Sequence, residues 1–460
     1  MKKKRLMIFV CLLSLCMPLL LAACGNDRDA NKSNLLGEDA LAVYMPSDRP
    51  LRIAQFADLH LGTEGSNYHN NREERTKAYM QYIVDTEKPD LIVCSGDNIM
   101  TTGILKLKEF VDLMESYKTP WTFIFGNHDA ESTAPGYNKK DLSEFLSTCD
   151  AEYLLYDTGY IDTSNKRYGN FSISVLNHDG SELLGSVILM DGGSYNTAEV
   201  SYDSITEGQI EWYEKEIDKL DEIYTGEGTM PSVVFSHIQL PEYYTAYKKA
   251  LTDDGAKFVI EEKLNTIELN TVRKGGPTKV NTGFFDTMKE KESTVAFFCG
   301  HEHTLGFQVE MDGIVLGFGP QTGFSTLFSN NDLLRKTYIY CFEEDFDFTT
   351  ISCVEDGKNL GLSYSGNYDS DGEYDEASGT YSISQDFFKG INIQLSYQGV
   401  RLTTENTTIT GDFSDDKNTG FYSTDGKTFV YGGSTASTYT FTYDPDKNTL
   451  HIATVDTAEE

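Results

Sequence analysis

Five short apolar runs in this 460-residue chain each end in a polar cluster built from the same few residue types. Leu51 to Ala57 leads into Asp58-Leu59-His60, and Leu91 to Ser95 into Gly96-Asp97-Asn98. Trp121 to Phe125 leads into Gly126-Asn127-His128-Asp129, Val233 to Ser236 into His237, and Val295 to Cys299 into Gly300-His301-Glu302-His303. The chain has 8 His, and five of them fall in these clusters. Runs this short, bounded by turn residues, read as buried strands. Val187 to Met190 reads as another. Between them, Glu73 to Glu87 and Glu207 to Leu220 place apolar residues on one helical stripe. The expectation is an α/β layered domain with its functional groups on loops at strand ends, where the sheet fixes the loop roots and the tips stay free.

Taken singly, each cluster is weak. Asp-x-His is ordinarily a turn or a surface pair, a lone strand-end His is ordinarily structural, and Gly-Asp is a common turn. Together they bring carboxylate, imidazole and amide oxygen, the donor set for first-row metals. Gly before Asp97, Asn127 and His301 permits the sharp turns that bring such donors close. In order, Asp58-x-His60, Gly96-Asp97-Asn98, Gly126-Asn127-His128-Asp129, His237 and Gly300-His301-x-His303 resemble the motifs of the calcineurin-like metallophosphoesterases. The wording of residues 55–60, Glu87-Lys88-Pro89-Asp90-Leu91-Ile92-Val93 and Asn281-Thr282-Gly283-Phe284-Phe285 is similar to the purple acid phosphatase-like branch.

The resemblance implies a central β-sandwich flanked by helices and two metal ions, iron, zinc or manganese. One ion would be held by Asp58, His60 and His303 and the other by Asn127, His237 and His301, with Asp97 bridging. It implies that His128, oriented by Asp129, faces the phosphate, and that Asn98 meets substrate. The reaction would be hydrolysis of phosphate monoesters or diesters by attack of a metal-bridging hydroxide. Purple enzymes carry a Tyr three residues after the bridging Asp, where this chain has Met100, so a pale or uncoloured protein is expected. The branch also follows its last block with an Asn-Asp pair, where Thr304-Leu305-Gly306 stands here.

The net charge of −34 makes nucleic acid a poor principal partner. A phosphate ester remains admissible, because two cations would outweigh Asp58 and Asp97 locally. Residues 1–23 read as an export signal: Lys2 to Arg5 are basic, and Leu6 to Ala23 carry no charge. A run of that length is also compatible with a retained anchor helix. Leu21-Ala22-Ala23-Cys24 decides for cleavage and resembles a bacterial lipobox, which implies lipid attachment at Cys24 and a membrane partner. The chain is therefore expected at the outer face of a bacterial membrane or in a periplasm, on a polar tether over residues 24–48.

The metallophosphoesterase domain is read over residues 49–345, a hairpin and acidic linker over 346–378, and a small all-β domain over 379–460. Five of the 8 Cys remain after Cys24, without CxxC spacing. Cys94 and Cys299 read as buried strand residues, and a Cys341–Cys353 bridge is left open. Asn177-His178-Asp179-Gly180 repeats the letters of a ligand cluster but reads as a hairpin turn. Asp191-Gly192-Gly193 reads as a backbone-shaping turn, and residues 251–279 as a polar, irregular insertion near the site. The alternative to an enzyme is a non-catalytic surface binding lipoprotein on a degenerate phosphoesterase fold. Such copies typically lose ligands, and this chain retains the whole set.

Overall fold

Side-chain alternation shows why the apolar runs become strands. Val233 and Phe235 enter one hydrophobic cluster while Val234 enters another. Val187 and Leu189 part from Ile188 and Met190 in the same way, as Phe298 does from Phe297 and Cys299. A period of two with both sets buried marks a strand covered on both faces.

The computed structural model describes residues 35–37, 40–62, 72–100, 103–196, 201–261, 278, 280–303, 305–324 and 335–354, and the backbone of eight strands between 372 and 455. The elements begin with β1 (Ala42–Tyr44), β2 (Leu51–Phe56), α1 (Arg72–Glu87), β3 (Leu91–Ser95), α2 (Gly103–Ser116), β4 (Trp121–Ile124) and α3 (Lys139–Thr148). β5 (Tyr160–Asp162), β6 (Arg167–Leu176), β7 (Leu183–Leu189), β8 (Tyr195–Asn196), β9 (Ser201–Tyr202), α4 (Glu207–Asp221) and β10 (Ser232–Phe235) follow. Then come α5 (Glu242–Ala250), β11 (Ala256–Ile260), α6 (Phe284–Lys291), β12 (Thr294–Cys299), β13 (Gln308–Met311), β14 (Ile314–Phe318), β15 (Lys336–Phe342) and β16 (Phe348–Val354).

Two sheets face each other. One runs β1-β6-β7-β10-β12-β14-β13-β11, with β5 also on β6; the other runs β16-β15-β2-β3-β4. β2, β3 and β4 are parallel, as are β7, β10 and β12. Their common face is apolar: the Phe298 ring stacks on Tyr340 at 3.9 Å, and Phe235 lies 5.9 Å from the same ring. Tyr79, Met80 and Ile83 of α1 and Phe110 of α2 pack with the smaller sheet. Tyr213 and Ile217 of α4, Tyr243 of α5 and Phe284 of α6 cover the outer face of the larger one. The result is a helix–sheet–sheet–helix sandwich, the α/β layering expected. α4 begins at a capping box: Thr206 accepts from the Gln209 N–H, and the Gln209 side chain accepts from the Thr206 N–H.

After Val354, β17 (Gly372–Asp375), β18 (Thr380–Ile383), β19 (Val400–Thr403), β20 (Thr408–Gly411), β21 (Gly420–Ser423), β22 (Thr428–Gly432), β23 (Thr438–Asp444) and β24 (Thr449–Val455) are described. Six form an antiparallel sheet in the order β17-β18-β24-β23-β22-β21, and β19 pairs with β20.

Several segments depart from the sequence reading. β1 lies inside the stretch read as tether, because Val43 and Met45 are buried and residues 42–44 pair with β6. β16, in the stretch read as a hairpin, does pair antiparallel with β15, and it carries the smaller sheet past residue 345. β11 forms an edge strand inside the supposed insertion, and β17 lies inside the acidic linker. The cysteines Cys94, Cys149, Cys299, Cys341 and Cys353 are free thiols. Register explains the last two, since Cys341 faces Thr349 and Cys353 faces Thr337. Residues 177–180 form the β6–β7 turn, with Gly180 at φ +75°. Residues 1–34, with the export signal and Cys24, lie outside the described residues.

Truncating the ring that joins the two sheets should be expensive. Phe298→Ala is expected to destabilise the fold by about 3–5 kcal/mol, read as a lowered urea midpoint. An unchanged midpoint would contradict the packing described.

Candidate metal centre

The C-terminal ends of β2, β3 and β4 meet those of β10 and β12 at the seam between the sheets, and the polar clusters are the loops that follow. Backbone hydrogen bonds lock neighbouring loops together: Asp58 N–H donates to Gly96 O at 3.1 Å, His60 N–H to Asp97 O at 2.8 Å, and Gly300 N–H to His237 O at 3.1 Å. Asp58, His60, Asp97 and His301 all hold left-handed backbone, with φ of 53°, 49°, 51° and 73°. Non-glycine residues there cost of order 1–3 kcal/mol each, so the surrounding fold must impose them. Two glycines are required by close approach. A Cβ at Gly96 would overlap the His237 ring, and one at Gly126 would overlap the Asp97 backbone and carboxylate.

The loops bring two donor groups together: Asp58, His60, Asp97 and His303, and Asp97, His237 and His301. Asp97 belongs to both. His303 Nε2 is 3.3 Å from Asp58 Oδ1 and 3.1 Å from His60 Nε2. His237 Nε2 is 3.2 Å from Asp97 Oδ2 and 3.2 Å from Asn127 Oδ1. Asn127 donates its Nδ2 to the Tyr195 hydroxyl at 2.9 Å, which turns its oxygen toward the centre. His237 Nδ1 pairs with Ser95 O at 3.0 Å, leaving Nε2 for a cation. Asp97 Oδ1 accepts from His128 N–H at 2.7 Å, while the buried Oδ2 has no hydrogen-bond partner among the described residues. A buried carboxylate oxygen held only by its ion pair with His237 Nε2 at 3.2 Å, with His60 Nε2 at 3.8 Å, fits a position shared between two cations.

Electrostatics agree with this arrangement. Burial pushes the Asp58 and Asp97 carboxyls up, but the neighbouring His rings outweigh it and hold both below the usual range. Burial lowers His60 and His301 to about 3, so both are neutral donors. Burial also works against a charge on His237, yet Asp97 and Asp58 raise it to about 9.

Two expectations are corrected. Asp129 does not orient His128. It is fully buried, and its carboxylate accepts from the N–H groups of Asp97, Asn98 and Ile99 at 2.9 Å and of Gly126 at 2.6 Å. It acts as a clamp on the Asp97 loop. Asn98 is also fully buried and donates its side chain to Ile124 O at 3.0 Å, which ties that loop to β4 rather than to substrate.

Other residues stand as read or were not anticipated. Asp191 is buried and paired with Lys139 at 2.7 Å. The residues that sequence reasoning missed are Tyr195 and Tyr202. Their rings lie 5.4 Å apart, Tyr202 sits edge-on to His301 at 4.2 Å, and Tyr195 is 42% exposed at the mouth. The only sequence signal was the Asp191-Gly192-Gly193 turn just before them.

The calcineurin-like phosphoesterase family model matches residues 51–305. The Arabidopsis thaliana protein named "Probable inactive purple acid phosphatase 14" is 27% identical, over 60% of this chain and 72% of its own length. The Saccharomyces cerevisiae protein "Phosphatase DCR2" is 28% identical, over 55% of this chain and 44% of its own. Among solved structures, a dimetal phosphatase from Danio rerio is similar at 12% identity and a TM-score of 0.41, covering 66% of this chain and 99% of that one.

Metal uptake should release a proton at pH 7.5. A ligating imidazole must be neutral, and His237 stays protonated in the metal-free chain until pH passes about 9. Calorimetry in buffers of different ionisation enthalpy should show that release, and its disappearance at higher pH. A second expectation concerns Gly96→Ala, which should lower bound metal by elemental analysis, since the His237 ring must move.

Proposed function

The chain belongs to the calcineurin-like phosphoesterase family, and from that premise we propose that it is a dinuclear metal-dependent enzyme hydrolysing phosphate monoesters or diesters. The observation that carries this reading is Asp97, shared by both donor groups and with one buried oxygen left for a cation. Asp58, His60 and His303 would hold one ion, and Asn127, His237 and His301 the other. When bound, two such ions lower the pKa of water and neutralise charge on the phosphoryl oxygens.

The chain's own groups supply the rest. The Asp129 clamp and the left-handed loops fix the donors before substrate arrives, so little reorganisation is left for the reaction itself. His128 stands at the mouth with its side chain 23% exposed, the position from which a ring nitrogen can give a proton to the departing alkoxide. Tyr195 and Tyr202 form an aromatic rim on one side of the entrance. Met100, whose sulfur is 3.1 Å from His60 Nδ1, occupies the place of the purple enzymes' Tyr and supports an uncoloured site.

The rival is a non-catalytic binding protein, favoured by the word "inactive" in the name of a relative. The complete donor set weighs against it. Export and lipid attachment at Cys24 belong to the same proposal and rest on Leu21-Ala22-Ala23-Cys24. Among the described residues no helix is long and apolar enough to cross a membrane. From Cys24 to Leu35, which packs against the domain, an extended chain would reach about 35–40 Å.

The deciding experiment compares the chain from Gly25 onward with its Asp97→Ala variant. The wild type should bind about two metal ions and hydrolyse an aryl phosphomonoester or a diester, and the variant should lose both properties. A folded wild type that takes up no metal and cleaves neither ester, after reconstitution with manganese, iron or zinc, would establish the rival.

A further inference from the structure

With Asp129 committed to four backbone amides, His128 needs another partner to fix its ring. The chain turns over residues 128–131, and such a turn returns residue i+3 toward residue i. Glu131 is that residue, and its Oε1 lies 2.9 Å from His128 Nδ1. The Tyr195 hydroxyl stands 3.4 Å from each ring nitrogen of His128, so the ring is bracketed by an acid and a phenol. The same hydroxyl faces the Asn127 amide at 2.9 Å.

We infer that Glu131 is the positioning residue of His128: by engaging Nδ1, it makes Nε2, 3.4 Å from the Tyr195 hydroxyl, the nitrogen presented to the substrate oxygen. This rests on the phosphoesterase reading and adds a residue outside the five ligand clusters. A half-exposed pair at this spacing contributes little to stability, but it is close enough to select one ring orientation. The base of the Tyr195 hairpin is held by the buried Lys139–Asp191 pair and by Arg167 against Asp203 at 3.3 Å. The phenol side of the bracket is therefore fixed, and Glu131 supplies the other side.

The test uses the zinc-loaded full chain and the variants Glu131→Ala and Glu131→Gln, with two readouts. In nitrogen-15 spectra of the His128 ring, the wild type should hold its proton on Nδ1, toward Glu131. Glu131→Ala should lose that preference, and Glu131→Gln should keep it through the amide oxygen. With an alkyl phosphate ester, Glu131→Ala should lower kcat roughly 10–100-fold. KM and bound metal should stay near wild type, and Glu131→Gln should recover much of the loss. An Nδ1 proton unchanged in Glu131→Ala would overturn the inference, as would an alanine variant with wild-type kcat. If the wild type hydrolyses nothing, the phosphoesterase reading falls, and the ring spectra still decide whether Glu131 orients His128.

Discussion

One oxygen of Asp97 sets the terms for its surroundings. The carboxylate is buried, its Oδ1 is engaged by the His128 amide, and its Oδ2 has no hydrogen-bond partner among the described residues. A buried carboxylate is costly unless it is paired, and the His237 ring 3.2 Å from Oδ2 supplies that pairing until a cation takes its place. The neighbouring loops serve to hold that oxygen where it is. Asp129 gathers the amides of the Asp97 loop, Gly96 makes room for the His237 ring, and Gly126 makes room for Asp97 itself. The left-handed ligand residues add backbone cost at the same place. Concentrated strain beside a buried ion pair is what a fold sustains at a site it uses, and the packed sandwich behind the loops is what sustains it.

Much of this was legible in the sequence because two independent signals coincide. Apolar runs such as Leu91 to Ser95 and Val295 to Cys299 announce strands buried on both faces, and the ligand letters stand at their ends. What escaped had no such signature. β1 buries only Val43 fully among its three residues, and β11 alternates half-buried with exposed positions, so neither edge strand has an apolar run to read. Asp129 looked like the partner of the His before it. Its true partners are amides brought together by the fold from β3 and β4 loops, and backbone N–H groups leave no mark in the letters. Asn98 was misread for the same reason, as its acceptor is the carbonyl of Ile124. Tyr195 and Tyr202 reach the centre only because a hairpin folds back over it.

Net charge and site charge have to be kept apart. With 72 acidic against 38 basic residues, the chain as a whole repels anions. At the seam the balance is different. Asp58 and Asp97 face the rings of His60, His237, His301 and His303, and His128 stands at the mouth. A cation-loaded centre of this composition presents a positive focus inside a negative field, which favours substrates able to come within direct contact and discriminates against anions held at longer range.

Each donor group draws on both sheets. Asp58, His60, Asp97 and Asn127 come from loops of the smaller sheet, and His237, His301 and His303 from loops of the larger. The distance between the two sets is therefore fixed by the thickness of the apolar layer behind them, where Phe298 lies flat on Tyr340 at 3.9 Å. The core acts as a spacer that sets the bore of the site. A change of one methylene in that layer, remote from any donor, would widen or narrow the gap between the two donor sets, so residues that never touch a metal would bear on which ion the site could hold.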